Sequence, residues 1–220
     1  MNFLSFILYY LYLFAKYRLR RKKISRYFDL YKQILKSKPL YICEIGVYTG
    51  ERAYEILKLA SLLNKNKIFY WGFDLYEDVP SNIISKEFSK YPHSKHKINK
   101  LLSSIKNVDV NLIKGNTTDT LKKLEHEIKF DFVFLDGGHL ISTIENDFNN
   151  IKKNLKTKSV VIFDDYYHSN KNIIKQFGCN FIIKTIDKKK YDIKIMKKIN
   201  YFKDSKFGAF GISFLKVLVK

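Results

Sequence analysis

The sequence predicts an α/β domain built on a mostly parallel sheet. Three observations carry this. Apolar strand-like runs alternate with amphipathic stretches from residue 39 onward. Several runs, such as "FDFVFLD" and "SVVIFDD", are apolar without a polar alternate, the pattern of strands covered on both faces. Their polar residues gather at the carboxyl ends, where open α/β sheets bind ligands.

In chain order, "FLSFILYYLYLFA" (3–15) is an all-apolar helix, followed by the basic run "KYRLRRKKISR" (16–26) and a helix over 24–36. Pro39 marks a boundary, giving an N-terminal extension over 1–38 and a main domain over 39–220. "LYICEIG" (40–46) is the first strand and "GERAYEILKLASLLN" (50–64) an amphipathic helix. Strands follow at 67–74, 108–115, 130–138 and 159–165, with helices at 117–127 and 141–154. "CNFIIKTI" (179–186) and "GISFLKVLV" (211–219) are expected to close the sheet as two further strands. The inserts 75–107 and 187–209 exceed ordinary connection lengths and are expected to wall the ligand edge, the first of them containing helix.

Composition narrows the class. With 220 residues and 46% apolar content the chain can bury a full core, which excludes wholesale disorder. Its net charge of +20 raises nucleic acid, acidic lipid or a phosphorylated substrate as partners. Lys, Asn, Ile and Tyr are abundant throughout, so the charge is also what an AT-rich genome would give, and nucleic acid is the less favoured reading. Cys43 and Cys179 lie in apolar runs and read as core residues of a reduced, cytoplasmic protein.

Residues 3–15 are too short to span a membrane, since thirteen helical residues reach about 20 Å against a hydrocarbon core of roughly 30 Å. Charges before the segment and a small-residue site after it, the marks of a cleavable signal, are missing. Two readings remain: a short anchor or interfacial helix at the inner membrane face through residues 3–26, or a helix packed on its own domain or on a partner subunit.

The chemistry concentrates at strand ends. "EIGVYTGER" places Glu44, Gly46, Tyr48 and Gly50 at the first strand-to-helix turn, where glycine lets the backbone approach a ligand beside free helix N–H groups. The G-x-x-x-G spacing misses the dinucleotide fingerprint, and a plain tight turn would use the same glycines. Asp74, 24 residues beyond Gly50, ends the second strand where an acid accepts from both ribose hydroxyls. Gly115 and Asn116 end the third, with an amide suited to an adenine edge.

With these residues in place, the chain resembles the class I S-adenosylmethionine-dependent methyltransferases. The matching segments are "EIGVYTG", "GFDLY", "KGNTTDTL", "FDFVFLDGGH" and "VVIFDDYYH". Within that superfamily it looks most like the small-molecule O-methyltransferases related to the macrocin and cephalosporin-cluster enzymes. The resemblance covers residues 39–219. It implies a Rossmann-like seven-stranded, mostly parallel sheet with helices on both faces and a last antiparallel strand. It also implies S-adenosylmethionine held by Glu44, Gly46, Tyr48, Gly50, Asp74, Asn116 and Asp136. Asn116 departs from the acid usual at the adenine edge, and Tyr48 from the small residue of many glycine loops.

Asp136, Asp164 and Asp165 end neighbouring strands, and three carboxylates so close repel unless a cation neutralises them. Oxygen ligation suits Mg²⁺ before Ca²⁺ or Mn²⁺. The opposing reading is that these acids cap helices or meet lysines. His139 has an imidazole suited to deprotonate a metal-bound hydroxyl, and alternatively orients Asp136 or substrate. Asp147 is expected to cap or to pair with a lysine, and His168 is a candidate for the acceptor pocket.

The expected reaction is Mg²⁺-assisted methyl transfer to a small hydroxylated acceptor such as a sugar or glycolipid, by an in-line displacement. Alternatives are an RNA or protein methyltransferase, for which the Lys-rich segment before the last strand speaks, and a catalytically silent membrane-associated binding module. An oligomer is compatible with each.

Overall fold

In the computed structural model, residues 3–21, 25–87 and 89–220 are described. Helices α1 (Phe3–Arg21) and α2 (Tyr27–Ser37) precede the sheet. Then come β1 (Tyr41–Ile45), α3 (Glu51–Leu63), β2 (Ile68–Asp74), α4 (Ser81–Glu87), α5 (Lys95–Leu102), β3 (Val108–Lys114), α6 (Thr117–Thr120) and β4 (Phe130–Leu135). The chain continues with α7 (Ile141–Ile151), β5 (Leu155–His168), α8 (Lys171–Ile174), α9 (Ile182–Thr185), β6 (Tyr191–Ile195), β7 (Asn200–Asp204) and β8 (Gly208–Val219).

The strand order is β3-β2-β1-β4-β5-β8-β6, with β7 paired to β8 off that path. Strands β1 to β5 are mutually parallel, and β8 runs antiparallel to β5, β6 and β7. From β1 the chain winds outward through β2 to β3, then returns to β4 on the other side of β1. The ligand crevice of such a sheet opens at this reversal, at the carboxyl edge between β1 and β4.

Both faces are covered, as the unbroken apolar runs require. Ile42, Phe132, Phe134, Val160, Ile162 and Phe214 pack with α1, α2, α3 and α5 on one face. The alternating residues Cys43, Ile45, Val133, Leu135, Val161, Phe163 and Leu215 pack with α7 and α9 on the other. Period-two alternation therefore sorts each strand between two cores. Cys43 and Cys179 are buried free thiols in the second core.

Three sequence expectations are corrected. Residues 179–186 form a turn and the short helix α9, and the strand pairing with β8 on the sheet path is β6, inside the segment 187–209. Gly178 (φ +87°) reverses the chain there, and Cys179, Ile182 and Ile186 are all buried at helical spacing. A short apolar run satisfies either period, and this turn decides for the helix. The helix expected over 117–127 stops at Thr120. The sheet has eight strands rather than seven, because β7 adds a ribbon on β8.

At the N-terminus, Leu13 and Tyr17 of α1 are buried together with Phe28, Leu30, Tyr31 and Ile34 of α2. A polar knot docks both helices onto α3. Glu55 accepts from Lys16 Nζ (2.6 Å), Tyr17 Oη (2.9 Å), Tyr31 Oη and Arg52 Nη1. Leu4, Leu8, Leu11 and Tyr12 line the exposed side of α1. No helix among the described residues is long and apolar enough to cross a membrane. Residues 22–24 of the basic run lie outside the described residues.

Candidate active site

The loop after β1 lies against the loop after β4. Gly46 N–H donates to the Phe73 carbonyl and Asp136 N–H to the Ile45 carbonyl, at 2.9 and 2.8 Å. Gly46 takes φ +88°, and a Cβ there would overlap the Asp136 carbonyl and Gly137 Cα. Only glycine permits this approach. Tyr48 (φ +54°) and Gly50 (φ +76°) continue the tight loop, and α3 begins at the next residue.

Asp74 at the end of β2 anchors that loop. Its Oδ2 accepts from the Val47 and Tyr48 amides, both at 2.8 Å, and its Oδ1 from Tyr76 N–H at 3.1 Å. The acid expected to face a ribose thus first fixes the shape of the glycine loop. The long insert closes over it, with His93 N–H donating to the Tyr48 carbonyl at 3.0 Å.

Glu44 is buried under the loop. Its Oε2 accepts from Tyr70 Oη at 2.6 Å, while Oε1 is buried without a partner. Burial, opposed by the Tyr70 hydrogen bond, pushes its pKa from 4.5 to about 8. Between those two values the folded chain binds more protons than the unfolded chain, so stability falls as pH rises. Glu44 alone is expected to cost about 3–4 kcal/mol of unfolding free energy between pH 5 and pH 8. Glu44→Gln is expected to remove that share of the slope, the raised Asp136, Asp147, Asp165 and His139 keeping the rest. Urea unfolding at both pH values checks this.

Asn116 sits exposed as the N-cap of α6, its Oδ1 accepting from Thr118 N–H at 2.9 Å. Asp147 is buried beside Gly137 on α7, with burial raising its pKa to about 6. It neither caps α7 nor meets a lysine in a described ion pair. His168 lies at 2.9 Å from Ser213 Oγ at the far end of β5.

The carboxylate cluster differs from the expected arrangement. Strand β5 does not end at the acids. It runs on to His168, and a bulge against β8 sets Asp164 and Asp165 opposite the single residue Phe214, with Asp165 at φ +59°. Such a bulge re-aims side chains where the ladder is interrupted. Asp164 Oδ2 receives Arg26 Nη2 at 2.6 Å, and its Oδ1 receives the Asp165 N–H at 2.7 Å. Asp136 shares a side-chain hydrogen bond with Asp164. Asp165 Oδ2 lies 3.3 Å from His139 Nε2.

The charges follow from these partners. Burial and the neighbouring Asp164 hold the Asp136 carboxyl well above the carboxylate range, so it is the proton donor of that pair. Burial works against the charge of Asp164, but Arg26 outweighs it and keeps Asp164 ionised. Burial raises Asp165 to about 6, with His139 opposing. Burial disfavours a charged His139, and Asp165 more than compensates. Arg26 and His139 thus face the three acids, with Asp136 the acid that burial and its neighbours drive furthest toward the neutral form.

The donor set for Mg²⁺ does not fit. Such an ion usually takes one or two carboxylates and keeps several waters, so it needs free carboxylate oxygens facing an open centre. Here both oxygens of Asp164 are engaged, by Arg26 and by the Asp165 N–H, and Asp136 is hydrogen-bonded to Asp164. Among the described residues, no group of three His, Cys, Asp or Glu side chains is arranged to take a metal. The alternative that the acids meet basic residues describes the cluster better, although the bases are Arg26 and His139 rather than lysines.

His139 faces Asp165, not Asp136. Its Nδ1 meets the Glu87 carbonyl, so both ring nitrogens are occupied. Glu87 at the end of α4 also accepts from Leu140 N–H (2.8 Å) and Thr143 Oγ1 (2.6 Å), clamping the insert to the loop after β4. Sequence reasoning missed both Glu87 and Arg26. Glu87 is an acid in a Lys-rich insert with no spacing to mark it. Arg26 ends a basic run that reads as solvated charge; its one signal is the aromatic pair Tyr27–Phe28 that follows.

A methyltransferase-domain family matches residues 43–166, from the middle of β1 to the residue after the acid pair. The chain belongs to that family. The methyltransferase therefore bears out the class I resemblance, and the macrocin-type branch is a finer assignment than this match reaches. No curated protein matches it in sequence. An O-methyltransferase from Bacillus cereus, solved in complex with SAH, has 16% identity and a TM-score of 0.59 over 98% of this chain and 91% of its own. TomG from Streptomyces achromogenes, an O-methyltransferase of tomaymycin synthesis solved with SAM, has 14% identity and a TM-score of 0.53 over 87% and 78%. An rRNA methylase from Streptococcus thermophilus has 11% identity and a TM-score of 0.57 over 87% and 95%. At these identities the likeness is one of fold.

Proposed function

We propose that the chain binds S-adenosylmethionine at the β1/β4 reversal and transfers its methyl group to a hydroxyl of a small acceptor such as a sugar or glycolipid. The observation that carries this is the Gly46–Gly50 loop, tied by Asp74 and pressed against Asp136, with the buried Glu44 oxygen left unpartnered beneath it. Glu44, Gly46, Tyr48, Gly50 and Asp74 form the cofactor side, with Asp136 at its border. The fold neighbours include O-methyltransferases from Bacillus cereus and Streptomyces achromogenes, which suits an oxygen acceptor, and an rRNA methylase of comparable likeness, which keeps RNA as the alternative acceptor.

The cofactor supplies an electrophilic methyl group, and the chain must align the acceptor oxygen behind it and exclude water. The insert bearing Glu87 and His93 closes over the loops after β1 and β4, which serves both needs. His139, held between Asp165 and the Glu87 carbonyl, orients that wall, and Asp165 favours its charged form.

The exposed Leu4, Leu8, Leu11 and Tyr12 give α1 an apolar face suited to the headgroup boundary of a membrane, which would bring a lipid-linked acceptor to the site.

Calorimetric titration with S-adenosylhomocysteine tests the cofactor assignment. One molecule is expected to bind per chain, and Asp74→Ala, which releases the Val47 and Tyr48 amides, is expected to weaken binding by about tenfold or more. No binding to the native chain would remove the methyltransferase reading.

A further inference from the structure

We infer that Arg26 is the built-in cation of the acceptor site, taking against Asp164 the place a divalent metal would hold and offering a buried N–H to an oxygen of the acceptor. The inference rests on the proposed methyl transfer and concerns the other half of the same site.

Arg26 comes from outside the strand-and-helix repeat, at the junction of α1 and α2, and its position is specified from three directions. Nη2 meets Asp164 Oδ2 at 2.6 Å in an ion pair with both side chains buried. The guanidinium carbon lies 5.0 Å from the Tyr27 ring, 5.8 Å from Phe202 and 5.4 Å from Phe214, so aromatic faces from α2, β7 and β8 enclose it. Its backbone N–H donates to Asn200 Oδ1 at 3.0 Å. Asn200 and Phe202 both belong to β7, the strand beyond the expected seven. The added ribbon thus serves as a backstop for this arginine.

One feature points to a ligand. Among the described residues, Arg26 Nε is buried and has no hydrogen-bond partner. An unmet buried donor is costly, and more so when it is charged. A guanidinium is a planar fork that suits two oxygen partners at once. Asp164 supplies one, and a bound acceptor oxygen would supply the second. Arginine stays protonated, so the hydroxyl proton goes instead to the Asp165 carboxylate of the same cluster as the methyl group leaves S-adenosylmethionine, which departs as S-adenosylhomocysteine. Arg26 stabilises negative charge as it develops on that oxygen, which is the electrostatic half of a metal's task without the coordination sphere.

The test uses the full chain, Mg²⁺ and S-adenosylhomocysteine. Native protein is expected to give no saturable calorimetric heat with millimolar MgCl₂ and no change in melting temperature with EDTA. Arg26→Met keeps the apolar stem but removes the charge, leaving Asp136, Asp164 and Asp165 with His139 alone. Removing the guanidinium frees Asp164 Oδ2 and restores the repulsion among the acids, so a cation can draw together carboxylates that are not arranged to hold one in the native fold. The variant is expected to gain Mg²⁺ binding and to be stabilised by Mg²⁺, an effect abolished in Arg26→Met/Asp164→Asn. A loss of packing alone would not create metal affinity. Arg26→Lys keeps a cation and is expected to fold and to ignore Mg²⁺, which covers the case in which the methionine variant fails to fold. Saturable Mg²⁺ binding to the native chain that disappears in Asp164→Asn overturns the inference, as does Arg26→Met folding without gaining Mg²⁺ affinity. S-adenosylhomocysteine titrated in parallel keeps the two questions apart: a native chain that binds it and also binds Mg²⁺ through Asp164 sinks only the role of Arg26.

Discussion

Glu55→Ala is expected to lower the unfolding free energy by about 3–5 kcal/mol, the scale for removing one partner from a buried charge network. Glu55 is buried in the middle of α3 and gathers Lys16, Tyr17, Tyr31 and Arg52 around one carboxylate. Without it, Arg52 loses its acid at the centre of the knot, two tyrosine hydroxyls lose their acceptor, and Lys16 is left with Glu51 alone. Because the knot joins α1 and α2 to α3, the loss should be felt as loosened docking of the N-terminal helices. Urea unfolding gives the magnitude, and limited trypsin digestion should show faster cleavage in the basic segment. Glu55→Gln keeps the acceptor oxygen and loses the charge, so its effect should be smaller. Equal stability of the alanine variant and the native chain would mean that apolar packing alone holds these helices.

Gly46→Ala is expected to abolish S-adenosylhomocysteine binding, by about a hundredfold or more, which corresponds to at least ~2.7 kcal/mol. Two effects add. The backbone at Gly46 has φ +88°, and a side chain there costs about 1–2 kcal/mol in strain. The new Cβ also overlaps the Asp136 carbonyl and Gly137 Cα, neither of which is a flexible side-chain end, so the loops after β1 and β4 must part. Gly208→Ala separates the effects, since Gly208 has φ +75° with nothing within 4 Å of an added Cβ. It should show the strain alone and leave binding intact. Retention of affinity within about threefold in Gly46→Ala would exclude this loop from the cofactor site.

The parallel half of the fold was legible because its strands are long, apolar on both faces and separated by glycine turns. The bounds of β1, β2 and β3 fall within a residue or two of those expected. Legibility ended at residues 179–186, where an eight-residue apolar run carries no period long enough to tell helix from strand. It also ended at β6 and β7, whose Lys-rich sequences look like loop because one side of each faces solvent.

The candidate site divides in the same way. Gly46, Asp74 and Asp136 could be found because each stands at a strand end, a position the topology makes special. The partners of Asp164 and Asp165 could not be found. Arg26 is 138 residues from Asp164 in sequence, and nothing local in a basic run shows which charge turns inward. The three acids asked for a cation, and from the sequence alone a metal ion and a distant arginine answer equally well.

The seating of Arg26 also imposes an order on synthesis. Its junction leaves the ribosome well before the Asn200 amide and the Phe202 and Phe214 rings that receive it. Folding during translation proceeds from the N-terminus, so this arginine must wait while almost the whole sheet is built behind it. The acidic crevice therefore closes only after β7 and β8 are made, and a nascent chain halted before β7 would carry the glycine loop but no seat for the arginine.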